Sequence, residues 1–252
     1  MTPAKKILVL ILASDDQPLY KEFQERWRKY MNTHPLFVCF FYKANPNQKV
    51  PMYLSDANTL SIKMTESLGN VYQKTLMAFK FFQPQFDMYE YVFRTNLSSF
   101  LVLDTYLEYC KKCPKSNFCS AYTMPFYLRD DPSFKLRFPS GAGITFSPDV
   151  IEQLLDSPPP PFIQDDVTIG TFLKEKNIPI VEAQHLTASA LATADIDKLP
   201  HTKPEIYHFR LKTDANRIED LAMYDRLLKI YYGRDLKSFC ILFFLFFFSF
   251  LH

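Results

Sequence analysis

The chain has 252 residues, of which 48% are hydrophobic and 22% are charged, and its formal net charge at pH 7 is +2. A chain of this length and composition is long enough to bury a sizeable core and is typical of a globular protein. The nearly balanced charge gives no electrostatic reason to expect a nucleic acid partner, since nucleic-acid-binding domains are usually strongly basic. The five cysteines are too few for a disulfide framework at this size and predict free thiols in a reducing, cytoplasmic compartment.

Residues 7–13 form a short apolar run, as expected for the buried first strand of a parallel sheet. Open α/β sheets bind nucleotides at the carboxyl ends of such strands, so Ala13, Ser14 and Asp15 are candidate ligand contacts. Lysines precede the run, as in a secretion signal, but its apolar length lies at the lower limit for one. We therefore predict a strand.

The following segments alternate between helical and strand patterns, which predicts one α/β domain. Apolar residues recur at helical spacing over residues 19–31 and 69–82, and compact apolar runs predict strands at 37–42 and 89–94. Lys74 lies in the second of these helices, where a lone lysine usually faces solvent.

A buried strand is predicted to end at a polar cluster formed by Arg94, Thr95, Asn96 and Ser98. Such side chains either contact a bound phosphate or sugar, or end the strand and cap a helix predicted over residues 101–109. The guanidinium of Arg94 needs an anion, and a bound phosphate or an internal carboxylate would serve equally well.

A glycine-rich segment, with Gly141, Ala142 and Gly143 at its centre, lies between two apolar runs. We predict a turn at this point. Because glycine has no Cβ, such a turn would let the backbone approach a ligand closely. A tight turn without a ligand has the same sequence signature.

Asp165 and Asp166 follow a rigid, proline-rich lead-in at residues 158–161 and precede an apolar stripe at helical spacing. A carboxylate at the start of a helix often serves only as its N-cap. Held by a rigid scaffold, the same carboxylate can instead be directed into a cleft and act as a base. The residues alone leave both interpretations open.

Residues 207–212 alternate in the manner of a strand, with His208, Arg210 and Lys212 on one face. That face could meet a diphosphate, because guanidinium and ammonium groups pair with phosphate oxygens. The alternative is a solvated edge strand with ordinary surface charges.

A last amphipathic helix is predicted over residues 214–232. Its predicted packing face consists of Ile218, Leu221, Leu228 and Tyr231. Residues 1–233 would then form one domain and residues 234–252 an apolar tail. A helix made from the apolar run at 239–251 would reach about 20 Å, short of a hydrocarbon core of about 30 Å. A peripheral membrane anchor and a tail docked on the domain both remain open.

The segment Asp-Asp-Val-Thr-Ile-Gly at residues 165–170, with Ser-Gly-Ala-Gly at residues 140–143 before it, resembles the motifs of fringe-like and related β-1,3-glycosyltransferases. This resemblance implies the GT-A fold, a Rossmann-like α/β domain with a mixed central sheet flanked by helices. It also implies transfer with inversion at the sugar C1. Asp166 would be the catalytic base, with Asp165 as the neighbouring alternative.

Residues 94–100 carry a second resemblance when they are taken with His-Phe-Arg-Leu-Lys at 208–212 and Asn-Arg at 216–217. The combination is similar to glycosyltransferase-like proteins encoded by large DNA viruses. This similarity implies a location in the host cytoplasm, with membrane contact through the tail left open.

Families of this fold usually hold a divalent metal on a short acidic motif at the end of a central strand, and related transferases add a late histidine. Here Asn96 and Ser98 occupy the place of the acidic residues, and His208 is the corresponding histidine. Neutral oxygens bind Mn²⁺ or Mg²⁺ weakly, so the metal is expected to be weakly held or absent. Without it, Arg210 and Lys212 would neutralise the leaving group.

Together, the resemblances predict an inverting glycosyltransferase that moves a sugar from a nucleotide diphosphate donor, a UDP-sugar, to a hydroxyl of a glycan or glycoprotein. Lys74 would contact the nucleotide, and the glycine-rich segment would shape the sugar pocket. A non-catalytic relative that binds sugar nucleotides and a nucleotidyltransferase remain as alternatives. The latter would be expected to carry a glycine-rich phosphate loop after the first strand, and residues 13–16 contain no glycine.

Overall fold

Strands and helices alternate along the computed structural model, which describes residues 5–127, 135–161, 164–192, 194–213 and 217–233. The strands are β1 (Lys6–Leu12), β2 (Phe37–Ala44), β3 (Met52–Asp56), β4 (Thr59–Ile62), β5 (Tyr89–Asn96), β6 (Ser99–Leu101), β7 (Cys119–Tyr127), β8 (Lys135–Phe146), β9 (Ile180–Glu182), β10 (His185–Leu186) and β11 (His208–Arg210). The helices are α1 (Pro18–Arg28), α2 (Val71–Phe82), α3 (Leu103–Cys110), α4 (Pro148–Asp156), α5 (Asp165–Glu175), α6 (Ala188–Ala192), α7 (Leu199–Thr202) and α8 (Arg217–Tyr232). Short 3₁₀ helices cover Leu68–Asn70, Gln83–Met88 and Ile196–Lys198.

The central sheet has eight strands in the order β3-β4-β2-β1-β5-β8-β7-β9. Strands β4, β2, β1 and β5 are parallel, whereas β8 is antiparallel to β5. The predicted first strand is confirmed, and its side chains alternate between two cores. Ile7, Val9 and Ile11 belong to one core, and Leu8 and Leu10 belong to the other. The run is continuously apolar because both faces of the strand are buried.

Helices cover both faces of this sheet. On one face, Phe23 of α1, Tyr106 of α3 and Tyr224 of α8 are fully buried in the same core. On the other, Phe79 of α2 and Ile151 of α4 pack with buried residues of α5. The result is the predicted single α/β domain, with a mixed sheet flanked by helices.

The strand order reverses at β1. This strand pairs with β2 on one side and with β5 on the other, and all three are parallel. Strands β1 and β5 end at the same level, with Leu12 opposite Asn96. In open α/β sheets, the crevice outside the carboxyl ends of the strands at such a reversal is where ligands bind.

A second sheet of three strands, in the order β10-β11-β6, lies beside this crevice. The strand predicted around His208 is confirmed, but β11 lies between two neighbours, so the solvated edge strand is excluded. Strand β6 follows the polar cluster directly, and α3 starts only at Leu103, with Val102 as its N-cap. The polar cluster therefore does not cap a helix.

The glycine-rich segment corrects a prediction, because Gly141 and Gly143 lie in strand β8 rather than in a turn. The strand is irregular there, since Ala121 of β7 is opposite Ile144 but Thr123 is opposite Pro139. Strand β8 thus bulges over residues 140–143. Bulges redirect backbone groups, and this one turns the carbonyl of Gly141 towards the end of β5.

The last helix confirms a prediction and corrects its packing face. Leu228 is buried as predicted, but Ile218 is 72% exposed. In the first turns of the helix, Asp220 and Tyr224 are buried. Ile218 lies two positions before Asp220, and in a helix with about 3.6 residues per turn this places it on the opposite side. The predicted placement of Ile218 was wrong because the buried residue in the first turn is a carboxylate.

No helix within the described ranges is both long enough and apolar enough to cross a bilayer. The apolar tail predicted at residues 234–252 lies outside the described residues.

Candidate functional site

A cleft of about 390 Å³ opens at the carboxyl ends of β1 and β5, where the strand order reverses. Its walls come from the ends of these strands, from residues 66–74 and from the segment after β11. The lining side chains that bear on its chemistry are Ser14, Asp16, Glu66, Lys74, Asn96, Ser98, Arg210, Lys212 and Arg217. The structure therefore brings the predicted contacts at Ala13, Ser14, Lys74, Asn96, Ser98, Arg210 and Lys212 to one cavity.

Arg210 is the central cation of the cleft. It is partly buried, it forms no ion pair with any described residue, and it donates a hydrogen bond from Nη1 to Asn96 Oδ1. Burial and the neighbouring charges of Arg217 and Arg94 lower the pKa of Arg210 to about 10. A bound anion would stabilise the charge of this partly buried guanidinium. Lys212 lies next to it along the cleft wall and is exposed.

Asn96 is held by several partners and does not offer a free oxygen. Its Oδ1 accepts hydrogen bonds from Arg210, from Ser99 Oγ at 3.2 Å and from Ser98 Oγ at 3.4 Å. Its Nδ2 donates to the carbonyl of Gly141 at 3.2 Å. The amide of Asn96 therefore positions the guanidinium of Arg210, whereas the resemblance implied that Asn96 would bind a metal ion.

His208, the predicted third metal ligand, lies behind the cleft wall. Its Nδ1 is 2.8 Å from Nδ1 of His185, and the ring packs edge-on against Phe93. Burial and His185 lower the pKa of His208 well below its usual range. Gly143 makes room for this ring, because a Cβ there would lie 2.5 Å from His208 Cε1.

The donor set consequently does not fit Mn²⁺ or Mg²⁺. Asn96 Oδ1 already accepts from a guanidinium, and His208 does not line the cleft with Asn96 and Ser98. Over the part of the chain that the structure describes, no group of three His, Cys, Asp or Glu side chains could hold a metal. Hard divalent cations favour carboxylate oxygens, and the cluster at the end of β5 contains none.

Asp165 and Asp166 open helix α5, but their surroundings differ. Asp165 forms an ion pair with the fully buried Arg94, which also donates to Tyr42 Oη at 3.2 Å and to the carbonyl of Gly141 at 2.5 Å. Of the two anions considered for Arg94, the structure thus uses an internal carboxylate. The N-cap position of α5 is Gln164, so neither aspartate is the N-cap residue.

Asp166 forms no ion pair within the described ranges. Its Oδ2 accepts the N–H of Gly141 at 3.0 Å, and its Oδ1 accepts the N–H of Val167 at 3.0 Å. Burial, and then the charge of Asp165, raise the pKa of Asp166. A raised pKa makes this carboxylate a better proton acceptor, and the peptide of Gly141 connects it to Asn96 at the cleft.

Gly141 permits this arrangement by lacking a side chain. A Cβ there would lie 2.7 Å from Arg94 Nη1 and 3.3 Å from Asp166 Oδ2. The adjacent carbonyl of Ala142 accepts from Thr95 Oγ1 at 2.6 Å and from Ser99 Oγ at 2.9 Å. Thr95 and Ala142 were both predicted to contact the donor sugar nucleotide. They are instead hydrogen-bonded to each other and connect β5 to β8.

The opposite end of the cleft is built around Lys74. Only 1% of this residue is exposed, and its Nζ donates to both carboxylate oxygens of Glu66, at 2.6 and 2.7 Å. The expectation that a lone helix lysine faces solvent therefore does not hold here. Asp15 is paired with Lys43 and lies off the lining, whereas its neighbour Asp16 lies on it.

The sequence predicts no site role for Asp16, Glu66 or Arg217, although Arg217 belongs to the Asn-Arg pair of the second resemblance. All three nevertheless line the cleft. Glu66 could have been suspected only if the burial of Lys74 had been known.

No protein-family model matches the chain, and no curated protein matches its sequence. Among solved structures, the fold is similar to a crystal structure of a glycosyltransferase involved in the glycosylation of the major capsid of PBCV-1. The sequence identity is 11% and the TM-score is 0.47, and the match covers 87% of this chain and 99% of that chain. The function is therefore inferred from the residues of the cleft.

Proposed function

We propose that this protein is an inverting glycosyltransferase that moves a sugar from a UDP-sugar to a hydroxyl of a glycan or glycoprotein. One observation carries the proposal. Arg210 and Lys212, which form no ion pair with the described residues, line the crevice at the reversal of the strand order, and Asp166, a carboxylate with a raised pKa, is joined to its wall through Gly141 and Asn96. The motif resemblance at residues 140–143 and 165–170 gives the reaction class.

The two groups have complementary roles in this reaction. The acceptor oxygen forms a bond to the sugar C1 while the bond from C1 to the diphosphate oxygen breaks on the opposite face. Asp166 takes the proton of the acceptor hydroxyl, because each of its oxygens accepts one backbone N–H among the described residues and keeps a lone pair. Arg210 and Lys212 stabilise the negative charge that develops on the departing diphosphate.

Asp165 is not the base in this proposal, because its charge is balanced by Arg94. The nucleoside would occupy the end of the cleft near Asp16 and Glu66, whose oxygens can accept hydrogen bonds from ribose hydroxyls. The diphosphate then points towards Arg210.

Calorimetric titration of the full chain with UDP, ADP and a series of UDP-sugars tests the proposal. We expect micromolar binding that favours UDP and one UDP-sugar, and release of UDP when that sugar nucleotide is incubated with the protein. Absence of binding to every nucleotide would contradict the proposal. Binding without release of UDP, even with added acceptor glycans, would favour the non-catalytic alternative.

A further inference from the structure

Three basic residues converge on one wall of the cleft. Arg210 is the last residue of β11, Lys212 lies two positions after it, and Arg217 is the first residue of α8. Burial, and then the positive charge of Arg217, lower the pKa of Arg210. Neither Arg210 nor Lys212 forms an ion pair within the described part of the chain.

Arg217 is held in place by its own helix and by α1. Its Nε donates to Asp220 Oδ2 at 2.5 Å, and its guanidinium lies 5.4 Å from the centre of the Phe23 ring. The terminal nitrogens of Arg217 form no hydrogen bond with the residues that the structure describes. The bond from Nε to Asp220 thus orients the fork of the guanidinium.

Asp220 is the group that orients Arg217. Only 2% of Asp220 is exposed, and its Oδ1 accepts hydrogen bonds from the backbone N–H of Thr213 at 3.0 Å and from Thr213 Oγ1 at 2.9 Å. These bonds tie the segment after β11 to the first turn of α8. Asp220 therefore fixes the position of Arg217 relative to Arg210 and Lys212.

The residues on the other side of this cation cluster do not form a metal-binding site. Asn96, at the place where the resemblance implies a metal-binding acid, accepts a hydrogen bond from Arg210 instead. A divalent cation at this position would lie beside the guanidinium, without a carboxylate to offset the repulsion.

We propose that Arg210, Lys212 and Arg217 bind the diphosphate of the nucleotide directly, with no divalent cation between, and that Asp220 is a positioning residue for Arg217. This inference rests on the proposed function, since it names the groups that hold its leaving group. Three cations match the charge of a nucleoside diphosphate, and the planar fork of an arginine can donate two bonds to one phosphate.

The test is calorimetric titration of the full chain with inorganic pyrophosphate, first in EDTA and then with Mg²⁺. We expect the same dissociation constant within about twofold in both buffers, since no metal takes part. Arg217→Gln should weaken binding by about tenfold or more, which corresponds to the loss of a charge-assisted hydrogen bond. Arg226→Gln is the matched control, because Arg226 lies on the same helix and pairs at the surface with Asp197, and it should change nothing.

Asp220→Asn separates positioning from stability. It should weaken pyrophosphate binding in the native chain but have no further effect in the Arg217→Gln background. An equal effect in both backgrounds would mean a general structural role and would overturn the assignment. If Asp220→Asn does not fold, Arg217→Lys is the variant to measure. It retains the charge but lacks the planar fork, so its affinity for pyrophosphate should lie between those of the unchanged chain and Arg217→Gln.

Binding of pyrophosphate that requires Mg²⁺, or that ignores Arg217→Gln, would overturn the inference. The proposed function is tested separately by UDP release from UDP-sugars. Metal-free, arginine-dependent binding without UDP release would remove the proposed function and keep the inference. Metal-dependent binding with UDP release would overturn the inference and keep the proposed function.

Discussion

Replacing Asp165 and Asp166 separately by asparagine should distinguish a structural carboxylate from a catalytic one. Asp165→Asn leaves the buried guanidinium of Arg94 without its anion. Removing one partner of a buried ion pair costs about 3–5 kcal/mol, a large part of the stability of a typical domain. We therefore expect Asp165→Asn to unfold at a much lower urea concentration than the unchanged protein.

Asp166→Asn should have the opposite profile. An asparagine oxygen can still accept one of the N–H groups of Gly141 and Val167, so the loss is about 1–3 kcal/mol at most. A second effect offsets part of it. Because the folded state raises the pKa of Asp166, its ionised form disfavours folding once the pH exceeds that pKa, and asparagine removes this penalty. The variant should remain folded.

The catalytic loss in Asp166→Asn should be large. General base catalysis contributes roughly 10²–10⁴-fold to a rate, equivalent to about 2.7–5.5 kcal/mol of transition-state stabilisation. UDP affinity should change little, because Asp166 is not among the residues that line the cleft in which UDP is proposed to bind. In the unchanged protein, the rate should fall as the pH is lowered through the raised pKa of Asp166, since only the ionised form accepts a proton.

The assay is the initial rate of UDP release from the UDP-sugar that binds best, measured across pH, together with urea unfolding of each variant. An Asp166→Asn variant that keeps its rate within about threefold would refute the assignment of Asp166 as the base, because loss of a general base lowers the rate by more than that. A stable but inactive Asp165→Asn variant would show that the two aspartates have the reverse roles.

Gly141→Ala should destabilise the fold by about 1–3 kcal/mol in urea unfolding, because its Cβ would lie 2.7 Å from a buried guanidinium nitrogen, whereas Gly69→Ala, with no atom within 4 Å of its Cβ, should not. Burial lowers the pKa of His185 from 6.5 to about 4 and that of His208 well below its usual range, so the folded state binds fewer protons than the unfolded state. The free energy of unfolding should therefore be retained above about pH 6.5 and fall as the pH drops towards 4. The fall should be less steep in His185→Gln, and a free energy of unfolding that does not change over this pH range would contradict the prediction. Ile218→Glu should leave the urea midpoint nearly unchanged, because this side chain is 72% exposed, and a marked loss of stability would mean that it packs.

Much of the fold could be predicted from the sequence because burial leaves a local signature. The apolar run of β1 predicted a strand covered on both faces. A second apolar run predicted a strand at 37–42, observed as Phe37–Ala44, and helical spacing predicted a helix at 69–82, observed as Val71–Phe82. The position of the crevice also followed, since ligands bind at the carboxyl ends of such strands.

The environment of each charged side chain could not be predicted in the same way. Lys74 has an ordinary helical context, and its burial depends on Glu66 and on the end of β1. The glycine-rich segment was expected to be a turn, but a bulged strand with β5 as its neighbour has the same local composition. Propensity acts within a few residues, whereas strand pairing joins distant segments.

The sequence by itself determined the alternation of strands and helices, the buried first strand and the set of polar residues available for chemistry. Only the tertiary structure decided which of two adjacent aspartates is neutralised, because Arg94 lies 71 positions before Asp165 in the chain. It likewise decided that Asn96 holds Arg210, 114 positions away, rather than a metal. Ion pairs and hydrogen bonds depend on distance in space, and for residues so far apart in the chain the packing of the sheet sets that distance.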